Sequence, residues 1–223
     1  MRNKIVFSFI SCILISFLCF GQKKFNEGKI VYAITYPDTE LDAQTAAMMP
    51  TVMTMYVKGD KVRTEMKMGM GMSNVTISDA KSKTLISLMD AMGEKYAMKM
   101  TDVDIKKESG DTPVPEITST GETREIAGFK CEVSKVVITD KDGKKINSEI
   151  CITKELKASQ LNWHDTKYSN VDGIMLEYDM EQGPMKMKFK VKSIKEEAVA
   201  DSMFDIPKDY QFKTLEELQN MGQ

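Results

Sequence analysis

Residues 52–72 read VMTMYVKGDKVRTEMKMGMGM, and this stretch decides the fold. Its centre, Gly59-Asp60, predicts a two-residue hairpin turn, because glycine adopts positive φ without steric cost and aspartate tolerates the second turn position. Pairing across this turn sets Lys58 opposite Lys61, Val57 opposite Val62, Tyr56 opposite Arg63, Met55 opposite Thr64, Thr54 opposite Glu65 and Met53 opposite Met66. One side of the hairpin is therefore apolar, and the other side is polar.

Methionine recurs at every second residue along parts of this stretch and again in two later segments. Because successive side chains of a strand point to opposite faces, alternate positions share one face of a sheet. The ten candidate methionines that this alternation assigns to one apolar face are Met53, Met55, Met66, Met68, Met70, Met72, Met98, Met100, Met185 and Met187. Gly69 and Gly71 lie between three of them, and glycine on the outer face allows a strand to bend in a curved sheet.

The rest of the chain has short alternating segments and no βαβ rhythm. Such patterns predict strands over residues 28–36, 74–79, 84–89, 94–100, 174–180 and 185–192, and a hairpin over 129–153 that turns at 140–143. Short helices are predicted from Asp38 or Thr39 to Met49, over 153–161, and from a capping box at Thr214 to Glu217. The count indicates a mainly β (α+β) protein, with a surface loop over 101–116.

The last two predicted strands carry opposite charges on one side. Pairing across a four-residue loop around Gly183-Pro184 sets Asp179 opposite Lys186, Glu177 opposite Lys188, Leu176 opposite Phe189 and Tyr178 opposite Met187. We interpret the lysines as one half of a paired, solvated surface, which needs no anionic ligand.

The N-terminus has the pattern of a secretory signal peptide. Two basic residues precede an apolar run over residues 5–20, and Gly21 precedes a polar segment, so cleavage is expected after Gly21. A membrane anchor is the alternative, but the run is shorter than the ~20 residues that a spanning helix needs. We expect residues 1–21 to be a signal peptide and residues 22–223 to form a single periplasmic or secreted domain.

Two cysteines remain after that cleavage, Cys131 and Cys151. They flank the turn at 140–143, which places them directly across from each other or one diagonal step apart. A cross-strand disulfide is therefore geometrically reasonable in an oxidising compartment. Two separate buried thiols are the alternative.

The composition excludes several classes of function. The 31 Lys and Arg against 33 Asp and Glu give a formal charge of −2, which does not suggest a nucleic-acid partner. The chain has one histidine and lacks an HExxH zinc motif, a phosphate-binding glycine loop and a Gly-x-Ser-x-Gly elbow. We expect no catalytic residues, no cofactor and no enzyme activity.

Three short motifs are YVKGDKVR at 56–63, TGET at 120–123 running to IAGFKC at 126–131, and FDIP at 204–207 with Tyr210. In these motifs the chain resembles an uncharacterised (DUF) family of secreted bacterial proteins related to the LolA/LolB lipoprotein-carrier superfamily. The resemblance implies a single LolA-like half-barrel domain: a strongly curved antiparallel sheet, or incomplete β-barrel, with short helices covering the concave face. Cys151 stands where the resemblance leads us to expect an aromatic residue, which favours its pairing with Cys131.

Members of that superfamily bind acyl chains or lipoproteins in the concavity, which implies an apolar small molecule, lipid or lipoprotein as the partner. Methionine is flexible and polarizable, so the ten candidate methionines suit an irregular apolar ligand. The alternative is that they are simply core residues. We expect a monomeric, non-enzymatic binding or carrier protein, and peripheral contact with a membrane is consistent with such a ligand.

Cu(I) or Ag(I) binding is a hypothesis of a different class. Thioethers are soft ligands, and repeated Met-x-Met pairs supply them, above all Met66, Met68, Met70 and Met72. His164, beside the sole tryptophan, is a further candidate ligand. Alternating methionine is also what an apolar strand face built from methionine must show, so both hypotheses stay open here.

Overall fold

The computed structural model describes residues 22–37, 39–91, 93–110, 114–139, 143–165, 167–182, 185–214 and 216–217. Outside these ranges lie the expected signal peptide at 1–21, the expected helix cap at Asp38, most of the turn at 140–143 and the loop at 183–184. Within them the chain consists mainly of strands, which confirms the prediction of a mainly β protein. None of the helices in the described ranges has the length and apolarity needed to cross a membrane.

The strands, in chain order, are β1 (Lys23–Lys24), β2 (Glu27–Thr35), β3 (Val52–Lys58), β4 (Lys61–Lys67), β5 (Ser73–Asp79), β6 (Thr84–Ala91), β7 (Glu94–Thr101), β8 (Glu116–Ile126), β9 (Phe129–Thr139), β10 (Lys145–Thr153), β11 (Leu156–Lys157), β12 (Ile174–Gln182), β13 (Met185–Lys195) and β14 (Gln211–Phe212). The helices are α1 (Ala43–Met48) and α2 (Asp102–Ser109), with short 3₁₀ helices at Gly69–Gly71, Ser159–Leu161 and Asp201–Phe204.

Twelve of these strands form one sheet in the order β14-β7-β6-β5-β4-β3-β2-β13-β12-β10-β9-β8. Neighbours pair antiparallel throughout, except that β14 and β7 are parallel. The sheet, as far as the described residues define it, is open, with β14 and β8 at its edges. Strands β1 and β11 form a separate parallel pair.

The hairpin of β3 and β4 has the predicted register. All six predicted pairs form, from Lys58 with Lys61 at the turn to Met53 with Met66. Gly59 has a φ of +60°, the left-handed conformation that favours glycine in such a turn. The predicted meander follows, because β5, β6 and β7 each pair with the strand before.

The expectation that this strand continues as far as Met72 is wrong. Strand β4 ends at Lys67, and residues 68–72 form the connection to β5 around a 3₁₀ helix. A Cβ placed on Gly69 would lie 2.2 Å from the carbonyl oxygen of Ala47 in α1. Glycine is therefore needed at position 69 for close contact with a helix, and the predicted bent strand is absent.

The register of β12 with β13 differs from the prediction by two residues. Gln182 pairs with Met185, so two residues rather than four separate the strands. Asp179 is consequently opposite Lys188, Glu177 is opposite Lys190, and Tyr178 is opposite Phe189. A shift of two leaves every side chain on its predicted face. The predicted charge pairing still forms, with Asp179 in ion pairs to both Lys186 (3.4 Å) and Lys188 (3.0 Å).

The larger of two buried clusters draws on eight neighbouring strands, from β4 to the edge strand β8 in sheet order. Among its fully buried members are Ile30, Val57, Val133, Ile174 and Leu176. An irregular segment over residues 156–171 covers part of it and contributes Leu156, Ala158, Leu161, Tyr168 and Val171.

We expected short helices to cover one face of the sheet, but α1 and α2 do not take part in this packing. Among the residues that the structure describes, none of α1 or α2 belongs to either buried cluster. The helix expected over 153–161 is replaced by the end of β10, the short strand β11 and a 3₁₀ helix. Helix α1 begins later than predicted, at Ala43, because the Asp42 carboxylate accepts the free backbone N–H groups of Gln44 and Thr45. The capping box predicted at Thr214 and Glu217 is present.

The side of the β3–β4 hairpin that was predicted to be polar is partly covered by the C-terminal segment. A smaller buried cluster there contains Val75, Ile77 and Leu88 of the sheet together with Val199 and Phe204. The register puts Val75 in one row with Glu65, on the face opposite the methionines. The sheet therefore buries apolar side chains on both faces.

The predicted disulfide between Cys131 and Cys151 is present, with its Cα atoms 5.4 Å apart. Cys151 pairs directly with Val133, so the cysteines are one diagonal step apart, one of the two expected arrangements. Both cysteines are 1% exposed.

We predict that removing this disulfide lowers the free energy of unfolding by about 3 kcal/mol, because its loop constrains the unfolded chain. The measurement is urea unfolding of the wild-type protein and of a C131A/C151A variant, each with and without dithiothreitol. Reductant should reduce the stability of the wild type to that of the variant and leave the variant unchanged. Equal stability of all four samples would contradict the prediction.

Candidate functional site

The cross-strand register places the candidate methionines of β3, β4 and β7 on one face of the sheet. Met55 lies in the row that continues through Thr64, Thr76 and Ser87 to Met98. The methionines at the two ends of this row are thus separated by small hydroxyl side chains. The face is shared, as the alternation predicted, but it is not continuously apolar.

The environments of the ten candidate methionines differ. Met53 and Met187 are buried in the larger cluster, and Met55 and Met66 pack against it. Met68, Met72 and Met185 are half-buried, while Met70 is 64% exposed. Met98 and Met100 are half-buried and line a cavity. The sequence pattern could not make this distinction, because it reports the face of a strand and not what covers it.

The cavity beside Met98 and Met100, which we call the methionine pocket, has a volume of about 760 Å³. Its lining residues are Met98, Lys99, Met100, Asp104, Lys107, Glu108, Phe212, Lys213, Thr214, Glu216 and Glu217. Apolar side chains of β7 and β14 thus meet charged side chains of α2 and of the chain after β14. The methionine pattern of the sequence indicates two of these residues but not Phe212, which lies in a strand of only two residues.

Three elements build the walls of the methionine pocket. Strand β14 pairs with β7 at Tyr96 and Ala97 only, and the Lys213 N–H donates to the Ala97 carbonyl at 2.9 Å. Helix α2 follows β7 directly and starts with a capping box between Thr101 and Asp104. The part of β7 that carries Met98 and Met100 therefore lies past the short strand β14 and next to α2. Phe212 is 59% exposed at this place.

Two carboxylates of the pocket are held in their ionised form by helix caps. The Thr101 hydroxyl and backbone N–H donate to Asp104 and keep the pKa of this carboxyl below its usual range. The backbone N–H and hydroxyl of Thr214 lower the pKa of Glu217 in the same way. The lining contains three lysines and four carboxylates. The pocket therefore has charges of both signs at its rim and little net charge.

A second cavity of about 740 Å³ lies beside the disulfide and contains none of the ten candidate methionines. Phe129, Cys131, Ile152 and Leu156 form its apolar part. No pattern in the sequence predicted this cavity. The signal in the sequence is Phe129, an apolar residue that shares the alternation of β9 with Cys131. The structure shows that Phe129 is only half-buried.

His164 and Trp163 lie far from the methionine-rich turn at 68–72. Their rings are 5.4 Å apart, and the Lys83 ammonium is 4.9 Å from the centre of the Trp163 ring. Lys83 follows the end of β5, whereas the turn precedes the start of that strand, and a seven-residue strand spans roughly 23 Å. Burial lowers the pKa of His164. His164 therefore does not complete a metal site with these methionines.

Residues 41–210 match the sequence model of a domain of unknown function, DUF4412. The chain belongs to the DUF4412 family. The expected membership of an uncharacterised DUF family is thereby confirmed, while the relation of the family to lipoprotein carriers stays a prediction. No curated protein matches the sequence significantly.

Among solved structures, this DUF4412 chain is similar to LprF from Mycobacterium bovis, with 12% identity, a TM-score of 0.37, and coverage of 83% of this chain and 90% of LprF. It is also similar to a β-barrel-like protein of the domain of unknown function DUF1849 from Brucella abortus. That comparison gives 11% identity, a TM-score of 0.37, and coverage of 77% of this chain and 98% of the other.

The buried and exposed methionines should respond differently to truncation. We predict that Met53→Ala lowers the free energy of unfolding by about 2–5 kcal/mol, because it leaves a cavity in the larger cluster. Met180→Ala is the matched control, since Met180 is 45% exposed in β12 and its loss should cost less than about 0.5 kcal/mol. Urea unfolding checks both values. Equal effects of the two substitutions would show that Met53 is not a core residue.

Proposed function

We propose that this DUF4412 protein is a non-enzymatic binding or carrier protein that holds an apolar chain in the methionine pocket. The ligand class we propose is the acyl chain of a lipid or of a lipoprotein. The observation that carries the proposal is the meeting of Met98, Met100 and an exposed Phe212 in one cavity of about 760 Å³. This volume is within the range of about 300–1,000 Å³ that is typical of small-molecule sites.

The chemistry of the lining suits an amphipathic ligand. Thioether side chains adapt to irregular apolar shapes, and Phe212 offers a rigid apolar surface. Contact with a ligand would remove the exposed surface of Phe212 from water, and such burial stabilises a complex by about 25 cal/mol per Å² before the costs of association. The lysines and carboxylates at the rim can pair with a polar head group of either charge.

The shape that we propose for the sheet is an incomplete barrel whose methionine face is concave. Sheets of more than about ten strands usually curl or split, because strand twist accumulates. The register shifts at three places in the sheet, in β8–β9, β10–β12 and β2–β13, and such irregularities bend strands. We further propose that the protein acts as a monomer in the periplasm or outside the cell after removal of residues 1–21, where its ligand would come from a membrane.

The proposal is tested by binding of a fluorescent fatty-acid probe to the full chain. We predict that M98A/M100A weakens probe binding at least about tenfold, because each truncation removes roughly 1 kcal/mol or more of apolar contact. Phe212→Ala should have an effect in the same direction. Met180→Ala is the matched control and should leave the affinity unchanged. Any probe that binds the apolar run at 5–20 binds equally in every variant and does not affect the comparison.

A variant in the second cavity, beside the disulfide, tests whether the probe binds there instead of in the methionine pocket. Phe129→Ala changes the cavity beside the disulfide and leaves the methionine pocket intact. Loss of probe binding in F129A alone would move the ligand to that cavity and contradict the proposed site. Unchanged binding in every variant would contradict a specific apolar site on this protein. Thermal unfolding of each variant separates loss of ligand contact from loss of fold.

A further inference from the structure

The connection between β4 and β5 gathers three thioether side chains within five residues. The Met68 N–H donates to the Met72 carbonyl at 2.9 Å, and the Met72 N–H donates to the Gly69 carbonyl at 3.3 Å. Met68 and Met72 therefore face each other across the hairpin, where paired side chains have Cβ atoms about 4.5–5.5 Å apart. Met70 lies at the tip between them. We call residues 68–72 the methionine turn.

Met70 has an unfavourable backbone conformation and an unfavourable exposure. Its φ of 59° is in the left-handed region, which residues other than glycine rarely occupy. Its side chain is 64% exposed, so burial does not compensate for this conformation. Lys83 and Ala127, which are also exposed, have the same backbone conformation at other turns. What distinguishes Met70 from them is that its exposed side chain is a thioether.

The backbone of a fourth methionine, Met48, lies against the methionine turn. A Cβ placed on Gly69 would be 2.2 Å from the carbonyl oxygen of Ala47 and 2.9 Å from the Cα of Met48. The end of α1 is thus in backbone contact with the turn. Met48 is half-buried at this contact. Met48 and the methionines of the turn come from separate parts of the sequence, and only the folded chain brings them together.

We infer that Met48, Met68, Met70 and Met72 form a site for Cu(I), with Ag(I) as its closest chemical substitute. Neutral thioethers are soft ligands that select monovalent copper over harder divalent cations. Thioethers carry no proton that a metal must displace, so the affinity of such a site does not depend on pH between about 5 and 8, unlike that of histidine or thiolate sites. The inference is independent of the proposed apolar ligand.

The cysteines and the histidine of the described residues do not compete with this assignment. Cys131 and Cys151 are joined in the disulfide. His164 is separated from the turn by the length of β5. The part of the chain that the structure describes contains no group of three or more His, Cys, Asp and Glu residues able to hold a metal. The methionine face as a whole is also a poorer candidate, because Met53 and Met187 are buried in the larger cluster.

The test is an anaerobic titration of the full chain with Cu(I) against the chromophoric chelator bicinchoninate. Every arm carries C12S and C19S, so that no free thiol binds the metal. The variant M68L/M70L/M72L keeps apolar side chains of similar volume and removes the sulfurs. We predict that it weakens Cu(I) binding at least about tenfold, since even changes outside the first shell of a metal site cost 10–100-fold. Met48→Leu should weaken binding in the same direction.

M98L/M100L is the matched control, because it removes a Met-x-Met pair elsewhere on the same face and should leave Cu(I) affinity unchanged. Methyl NMR of ¹³C-methionine-labelled protein should show that Ag(I) shifts the resonances of the turn. The inference is overturned if the wild type does not remove Cu(I) from the chelator, if M68L/M70L/M72L binds as tightly as the wild type, or if affinity rises with pH. Unchanged affinity in M48L would remove Met48 from the site. Urea unfolding confirms that the leucine variants are folded.

Discussion

The two-residue turn at Gly59-Asp60 is the constraint on which the rest of the structure depends. It fixes the register of β3 with β4, and the side-chain period of two then fixes which residues of both strands share a face. Because β5, β6 and β7 continue the same antiparallel ladder, this assignment extends over five strands. A shift of one residue at the turn would exchange the two faces of β4 relative to β3 and turn Val62 away from the larger cluster.

The sequence predicted the parts of the fold that depend on local pairing. The opening hairpin and the meander follow from turn chemistry and alternation, which act over a few residues. For the two cysteines the same signals left two arrangements open, directly across and one diagonal step apart. The register of β12 with β13 was missed because Gly183-Pro184 is compatible with loops of different length. The error did not change the faces, since the shift was an even number of residues.

Features that depend on distant contacts could not be predicted in this way. The alternation of Met68, Met70 and Met72 continues that of β4 and does not show that the chain reverses there, with Met70 and Gly71 in the left-handed conformation. It also does not show that α1 approaches Gly69. The C-terminal segment covers a face that was predicted to be polar. That prediction rested on the β3–β4 hairpin, which carries Tyr56 and Arg63 on this face, whereas the next strands carry the apolar Val75 and Leu88 there. Arg63 itself donates to the Met203 carbonyl at 3.0 Å, so the segment satisfies this charge as it covers the sheet. Phe212 could not be assigned to a site, because a strand of two residues leaves no pattern.

Both candidate sites lie where the pairing of the sheet ends, and this has a physical reason. Inside the ladder, Met53 is paired with Tyr32 on one side and Met66 on the other and is buried in the larger cluster. At the edge of β7 the partner strand β14 is only two residues long, and past it Met98 and Met100 line a cavity. Strand β4 ends at Lys67 and β5 begins at Ser73, so the thioethers of the methionine turn lie in the connection between the two strands, at the end of the sheet. The same residue type therefore packs the core where pairing is complete, and it is exposed or lines a cavity where pairing is interrupted. The position of a methionine in the ladder, more than its place in the alternation, determines its environment.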